Sequence, residues 1–276
     1  VLNRARKTIP TERAIWIAAA KLEEAKGKSE SVERILAMGM QSLRDNRVEI
    51  DRQAWMRDAE GCEGAGSTET CCAIVRLVIG IGVEEIDRLE QWSEDAEACV
   101  KRGAITCARA IYTHALSIFP GDQDLWQRGA FFEKEHGTSS SLMVYLRKAV
   151  KYCPRTEVLW LMAAKTAWLD GDVPGARTIL TEAFTANPNS EDVWLAAVKL
   201  ESENNAYDRA RKLLQNARRQ AGTARVWAKS VRLEWVLGDM AAAAALVTEA
   251  TVLHPKAAKL WMMKGQIAQN DGGSGG

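Results

Sequence analysis

The chain has almost no net charge. With 37 basic and 36 acidic residues it sits at +1, so the molecule as a whole has no field with which to gather polyanions. It also lacks long apolar runs: AAAAALV near Ala241 and VLWLMAA near Val158 fall far short of the roughly 20 residues of a membrane-spanning helix. Histidine is scarce, and His114, His136 and His254 are too far apart in sequence to form a ligand pair at helical spacing. There are six cysteines, Cys62, Cys71, Cys72, Cys99, Cys107 and Cys153, but no CxxC pair and no secretory signal, a pattern of reduced core thiols in the cytosol or nucleus. Disorder is excluded from the other side, by 47% hydrophobic and 26% charged residues.

What the sequence does have is tryptophan at a fixed spacing. Trp92, Trp126, Trp160, Trp194, Trp227 and Trp261 are separated by 34, 34, 34, 33 and 34 residues, and Trp16 and Trp55 extend the series upstream at intervals of 39 and 37. A period near 34 is that of stacked helix pairs, in which no unit buries its apolar face alone. The eight repeat tryptophans are therefore expected to be core residues.

Local rules agree with this reading. Four residues before the tryptophan stand Asp122, Thr156, Ser190 and Thr223, each suited to cap a helix N-terminus. Pro10, Pro120, Pro154, Pro188 and Pro255 stand six before it, where no helical hydrogen bond is lost. Small residues three and four after it, such as Ala19 and Ala20 or Ala163 and Ala164, let helices approach beside the indole. Eleven after it come Gly27, Gly66, Gly103, Gly137, Gly171, Asn205 and Gly238, residues that accept the left-handed conformation at a helix end. A second helix follows, with small residues at 16 and 23, as in Ala176 and Ala183.

The expected fold is thus all-α, a right-handed α-solenoid of antiparallel helix pairs. One domain covers residues 1–270, with seven complete repeats between two half repeats, and 271–276 form a Gly/Ser tail like an engineered linker. This reads as an excised piece of a longer solenoid. Departures from the rhythm mark the candidate partner contacts. Two insertions, RDNRVEID and IGIGVEEID, carry Arg47, Glu49, Glu84 and Glu85; Trp168 and Trp235 each follow a repeat tryptophan by eight residues, about 80° off the buried stripe. Within a unit, Glu201 and Arg211 are the only acid and base at positions suited to a helix–helix salt bridge, so a general bridge is not expected. Nor does the sequence suggest a basic groove.

The Trp-to-Glu pattern (Glu23, Glu133, Glu201 and Glu234, seven after the tryptophan) and the Ala-Arg start of the second helix (Ala108-Arg109, Ala176-Arg177, Ala210-Arg211) resemble the half-a-tetratricopeptide, or HAT, repeat. The strings IGIGVEEIDRLEQWSEDAEACV, VLWLMAAKTAWLDGDVPGARTIL, NPNSEDVWLAAVKLESEN and KLWMMKGQI are similar to the carboxy-terminal HAT region of the pre-mRNA-processing factor six family. That resemblance implies a nuclear, non-enzymatic scaffold that bridges the particles of the spliceosomal tri-snRNP through contacts with its splicing-factor proteins. It implies no cofactor, metal, small-molecule substrate or membrane. The alternatives are a HAT scaffold of mRNA 3′-end processing, or a helical-repeat RNA-binding module making direct RNA contacts.

Overall fold

The computed structural model describes residues 2–272, with side chains from 4 to 269. Among the described residues the regular structure is helical, without strands. A short helix, α1 (Leu2–Thr8), precedes seven helix pairs: α2 (Arg13–Ala25) with α3 (Ser29–Asp45), α4 (Arg52–Gly64) with α5 (Thr68–Val78), α6 (Arg88–Lys101) with α7 (Ile105–Ile118), α8 (Gln123–His136) with α9 (Ser139–Tyr152), α10 (Glu157–Leu169) with α11 (Val173–Ala186), α12 (Glu191–Glu203) with α13 (Tyr207–Gln220), and α14 (Ala224–Val236) with α15 (Met240–Leu253). The last helix, α16 (Ala258–Gly272), takes in the first two residues of the expected tail; the rest of that tail lies outside the described residues. Packing divides the chain into two compact units, Val1–Phe132 and Glu133–Gly276.

Each helix pair is built around its tryptophan. The indole Nε1–H of Trp16, Trp126, Trp160, Trp194 and Trp261 donates to the carbonyl of the proline six residues earlier, at 2.8 to 3.0 Å. The repeated proline therefore does more than enter the helix harmlessly: its carbonyl satisfies the indole N–H of the tryptophan in the same unit. Trp92 lacks the proline and donates instead to Ile79 O, 2.9 Å away, across the inserted segment.

Seven of the eight rings are buried. Trp261 is the exception, 49% exposed, and corrects its assignment to the core. In a complete unit the second helix covers the ring with a small residue; a Cβ added to Gly39 of α3 would lie 2.7 Å from Trp16 Cγ. Among the described residues no helix follows α16 to play that part.

Caps and stops form largely where the pattern puts them. Asp122, Ser190 and Thr223 accept from the backbone N–H three residues on, and Asp51 does the same for α4. Thr156 stands at its N-cap position without a side-chain cap bond. Of the seven stops, six are left-handed, from φ 58° at Asn205 to 83° at Gly171. Gly137 is not among them. Its requirement is space: an added Cβ would lie 2.5 Å from Glu133 O and 2.6 Å from Ser141 Oγ, where the Thr138–Ser141 capping box folds back on the helix end.

Candidate interaction surface

Consecutive repeats are joined by charge. Arg177 of α11 makes a two-pronged pair with the buried Glu201 of α12, at 2.7 and 2.8 Å, and Arg211 of α13 pairs likewise with Glu234 of α14, at 3.0 and 2.7 Å. A repeating salt bridge does exist, contrary to the sequence expectation. It runs from the second helix of one unit to the first helix of the next, so a comparison within units misses it. Carboxylates eight residues after a tryptophan reach across in the same way. Glu24 accepts from the N–H groups of Glu69 and Thr70 at the start of α5, and Glu63 from those of Thr106 and Cys107 at the start of α7. Burial pushes the Glu63 carboxyl up, but those N–H donors outweigh it and hold it below the ordinary carboxylate value.

Glu63 also lies near two buried thiols, its oxygen and the Cys71 and Cys107 sulfurs falling within 4.8 Å of one another. Both Glu63 oxygens are already engaged by α7, and the two sulfurs sit 3.0 Å apart. Burial pushes the nearby Cys62 up to about 11, so its thiol is protonated at neutral pH.

The two insertions come together within the first unit. Arg44, Val48, Glu49, Ile50, Asp51 and Arg52 line one side of a groove of about 640 Å³, and Ile81 and Gly82 line the other. Arg52 ties the insertions to the helices, donating to Ile79 O at 3.1 Å and pairing with Asp95. Of the candidate contacts, Glu49 lines this groove, while Arg47, Glu84 and Glu85 stand exposed beside it in the same two segments. Arg47 occupies a left-handed helix stop at φ 58°. The most exposed apolar residue of the insertions is one the sequence reading passed over: Ile86, 87% exposed, in a 3-10 turn (Glu85–Asp87) between acidic neighbours.

Trp168 and Trp235 are half-buried, packed on the cores around Trp160 and Trp227 respectively. Lys199 Nζ of the following repeat lies 5.9 Å from the centre of the Trp168 ring, a cation–π contact across the seam.

The first helices present their remaining face to a second groove, within unit Glu133–Gly276. About 430 Å³ in volume, it has a floor of Leu161, Leu195, Ala196, Ala228 and Met263. Around it stand Lys199, Arg225, Lys229, Arg232 and Lys259, with one acid, Asp192. Arg225 is neutralised by Glu191 and Asp192, at 2.9 and 2.7 Å, and Lys199 lies 3.8 Å from Glu203. Among the described residues Lys229, Arg232 and Lys259 have no carboxylate within ion-pair distance. Burial, together with Arg232, Lys199 and Lys259, depresses the Lys229 pKa. The corresponding positions of α6 and α8 in the first unit carry the opposite charge: a groove of about 440 Å³ there is lined by Glu90, Glu94, Glu97, Asp122 and Asp124, with one base, Arg128. A basic groove is therefore present although the sequence did not suggest one. Its cations stand two before, two after and five after successive tryptophans, a register that net charge conceals.

The tetratricopeptide repeat family matches residues 167–233. Pre-mRNA-processing factor 6 of Homo sapiens is 58% identical over 246 residues, which cover 89% of this chain and 26% of that protein. Pre-mRNA-splicing factor prp1 of Schizosaccharomyces pombe is 43% identical over 247 residues, 90% of this chain and 27% of that one. Among solved structures, pilF of Pseudomonas aeruginosa is 17% identical, covering 78% of this chain and 97% of its own, at a TM-score of 0.42. The chain spans about a quarter of the length of the curated relatives it matches. Over nine-tenths of its own length, it belongs by sequence to the pre-mRNA-processing factor 6 family of splicing proteins, as an all-α repeat segment.

Proposed function

We propose that this chain is a nuclear, non-enzymatic scaffold in pre-mRNA splicing, bridging particles of the spliceosomal tri-snRNP through protein–protein contacts. The observation that carries the reading is how the charged side chains are spent. Those at the seams are paired or cap helices, while the unpaired cations stand over an aliphatic floor facing outward. Such a surface recognises side chains and backbone of another protein by shape and charge. The test is cross-linking with mass spectrometry of the chain bound to purified tri-snRNP. Cross-links from Lys199, Lys229 and Lys259 to splicing proteins are expected; cross-links confined to RNA, or none, would overturn the reading.

Direct RNA binding is the second reading, favoured by the same cations. The floor argues against it. Single-stranded RNA is read chiefly by stacking its bases on aromatic rings, and although Arg225 and Arg232 offer guanidinium planes at the rim, the residues beneath these cations are leucine, alanine and methionine. A gel shift with single-stranded RNA at low and high salt decides: retardation surviving high salt supports RNA recognition, and none at either salt dismisses it.

A further inference from the structure

We infer that the groove across α10, α12, α14 and α16 takes one kind of occupant: an extended, acidic segment of a partner protein that also carries aliphatic side chains. The inference rests on the scaffold reading and names the chemistry of the partner.

Two independent features define the occupant. Three cations, Lys229, Arg232 and Lys259, lack a carboxylate partner among the described residues and crowd one another. Carboxylates arriving from outside relieve that repulsion. The floor of Leu161, Leu195, Ala196, Ala228 and Met263 is apolar, and Leu161, Leu195 and Ala196 are partly exposed to solvent. It gains by covering only if the occupant brings apolar side chains, which a purely polyanionic ligand does not.

The spacing of the cations limits the occupant further. Five residues after successive tryptophans stand Lys165, Lys199 and Arg232, all exposed, on α10, α12 and α14. Packed helices lie about 8–10 Å apart, and a chain extended as a polyproline II helix advances about 3.1 Å per residue with every third side chain on the same face. A segment crossing these helices therefore meets a cation at roughly every third residue. Carboxylates at a period of three, with an aliphatic side chain between them turned to the floor, fit this ladder.

The probe is a fluorescein-labelled dodecapeptide, Glu-Leu-Ser repeated four times, titrated with the whole chain and read by fluorescence anisotropy. Binding is expected to weaken on the order of tenfold or more in the Lys199→Glu, Arg232→Glu double variant, and as much when glutamine replaces glutamate or serine replaces leucine in the peptide. Both cations are exposed, so the circular dichroism melt should be unchanged; should the reversal lower it, the milder Lys199→Gln, Arg232→Gln pair gives the same comparison. Equal binding of oligoglutamate or of a twelve-nucleotide RNA would overturn the inference, as would an affinity indifferent to both variant pairs. Protein cross-links from the tri-snRNP experiment with no peptide binding would sink this inference and leave the scaffold reading standing. Loss of both would remove the two together.

Discussion

At the scale of single residues, glycine shows that one residue type serves opposite ends. Gly39 faces the Trp16 ring so closely that a methyl group cannot enter without moving it, whereas Gly61, inside α4, has no atom within 4 Å of an added Cβ. Gly39→Ala should destabilise by about 1–3 kcal/mol through overpacking, and Gly61→Ala should stabilise by about 0.5–1 kcal/mol because a helical glycine carries an excess entropy cost. Urea denaturation of the two variants checks the opposite signs. The tryptophans divide into ring and N–H in the same way. Trp194→Phe keeps an aromatic core but loses the 2.8 Å bond to Pro188 O, with an expected cost of about 1 kcal/mol. Trp194→Ala, which also opens a cavity, should cost about 3–5 kcal/mol. Thermal melts that fail to separate the two variants would mean that the bond to proline contributes as much as the ring. The tryptophan spacing made seven buried rings legible from sequence, since burial repeats with the period. Trp261 broke the rule because burial of the ring is supplied by the helix after it, and the indole bond was missed because a sequence shows a proline but not where its carbonyl points.

At the scale of helices, carboxylates on first helices hold second helices of neighbouring repeats: Glu201 and Glu234 bind that of the preceding repeat, Glu24 and Glu63 that of the following one. Removing Arg177 leaves Glu201 buried without its cation, a costly state. The double variant Arg177→Ala, Glu201→Gln should therefore melt higher than Arg177→Ala alone; a double variant that melts lower would show that the pair is not what holds that seam. Acid should act on the α4–α7 seam by a different route. Because folding lowers the Glu63 pKa, its contribution is complete above the unfolded carboxylate value of about 4.3 and fades as pH falls through the lower folded value. Glu63→Gln should flatten the fall in melting temperature between pH 6 and 3, and an unchanged slope would assign the acid lability to other carboxylates. Helix starts and stops were legible because caps are local chemistry, as at Asp122 and Gly171. The seam pairs were not, because Arg177 and Glu201 lie 24 residues apart in sequence, in different units, and only the stacking register brings them together.

For the molecule as a whole, a net charge of +1 conceals an uneven distribution. Residues 1–132 carry 18 bases and 21 acids, and residues 133–276 carry 19 and 15. On the exposed face of the first helices this becomes an acidic groove in one unit and a basic groove in the other. Titrating the chain with salt should weaken capture of acidic ligands on Glu133–Gly276 while hardly altering the melting temperature, since exposed charges steer association more than they stabilise a fold. The repeat architecture was readable from spacing alone, whereas the charged grooves needed the face on which each residue falls, a property of the stacked helices. One consequence follows from two of the bonds described above. The indole-to-proline bond closes inside a unit, over six residues, while the Arg–Glu pairs of α11 with α12 and α13 with α14 close between units. Pulled by its ends, the segment from Trp160 to Trp227 should part at the seams and not within the helix pairs. It would lengthen in steps of one repeat, and on release recoil the same way, each pair already formed and needing only to find its neighbour again.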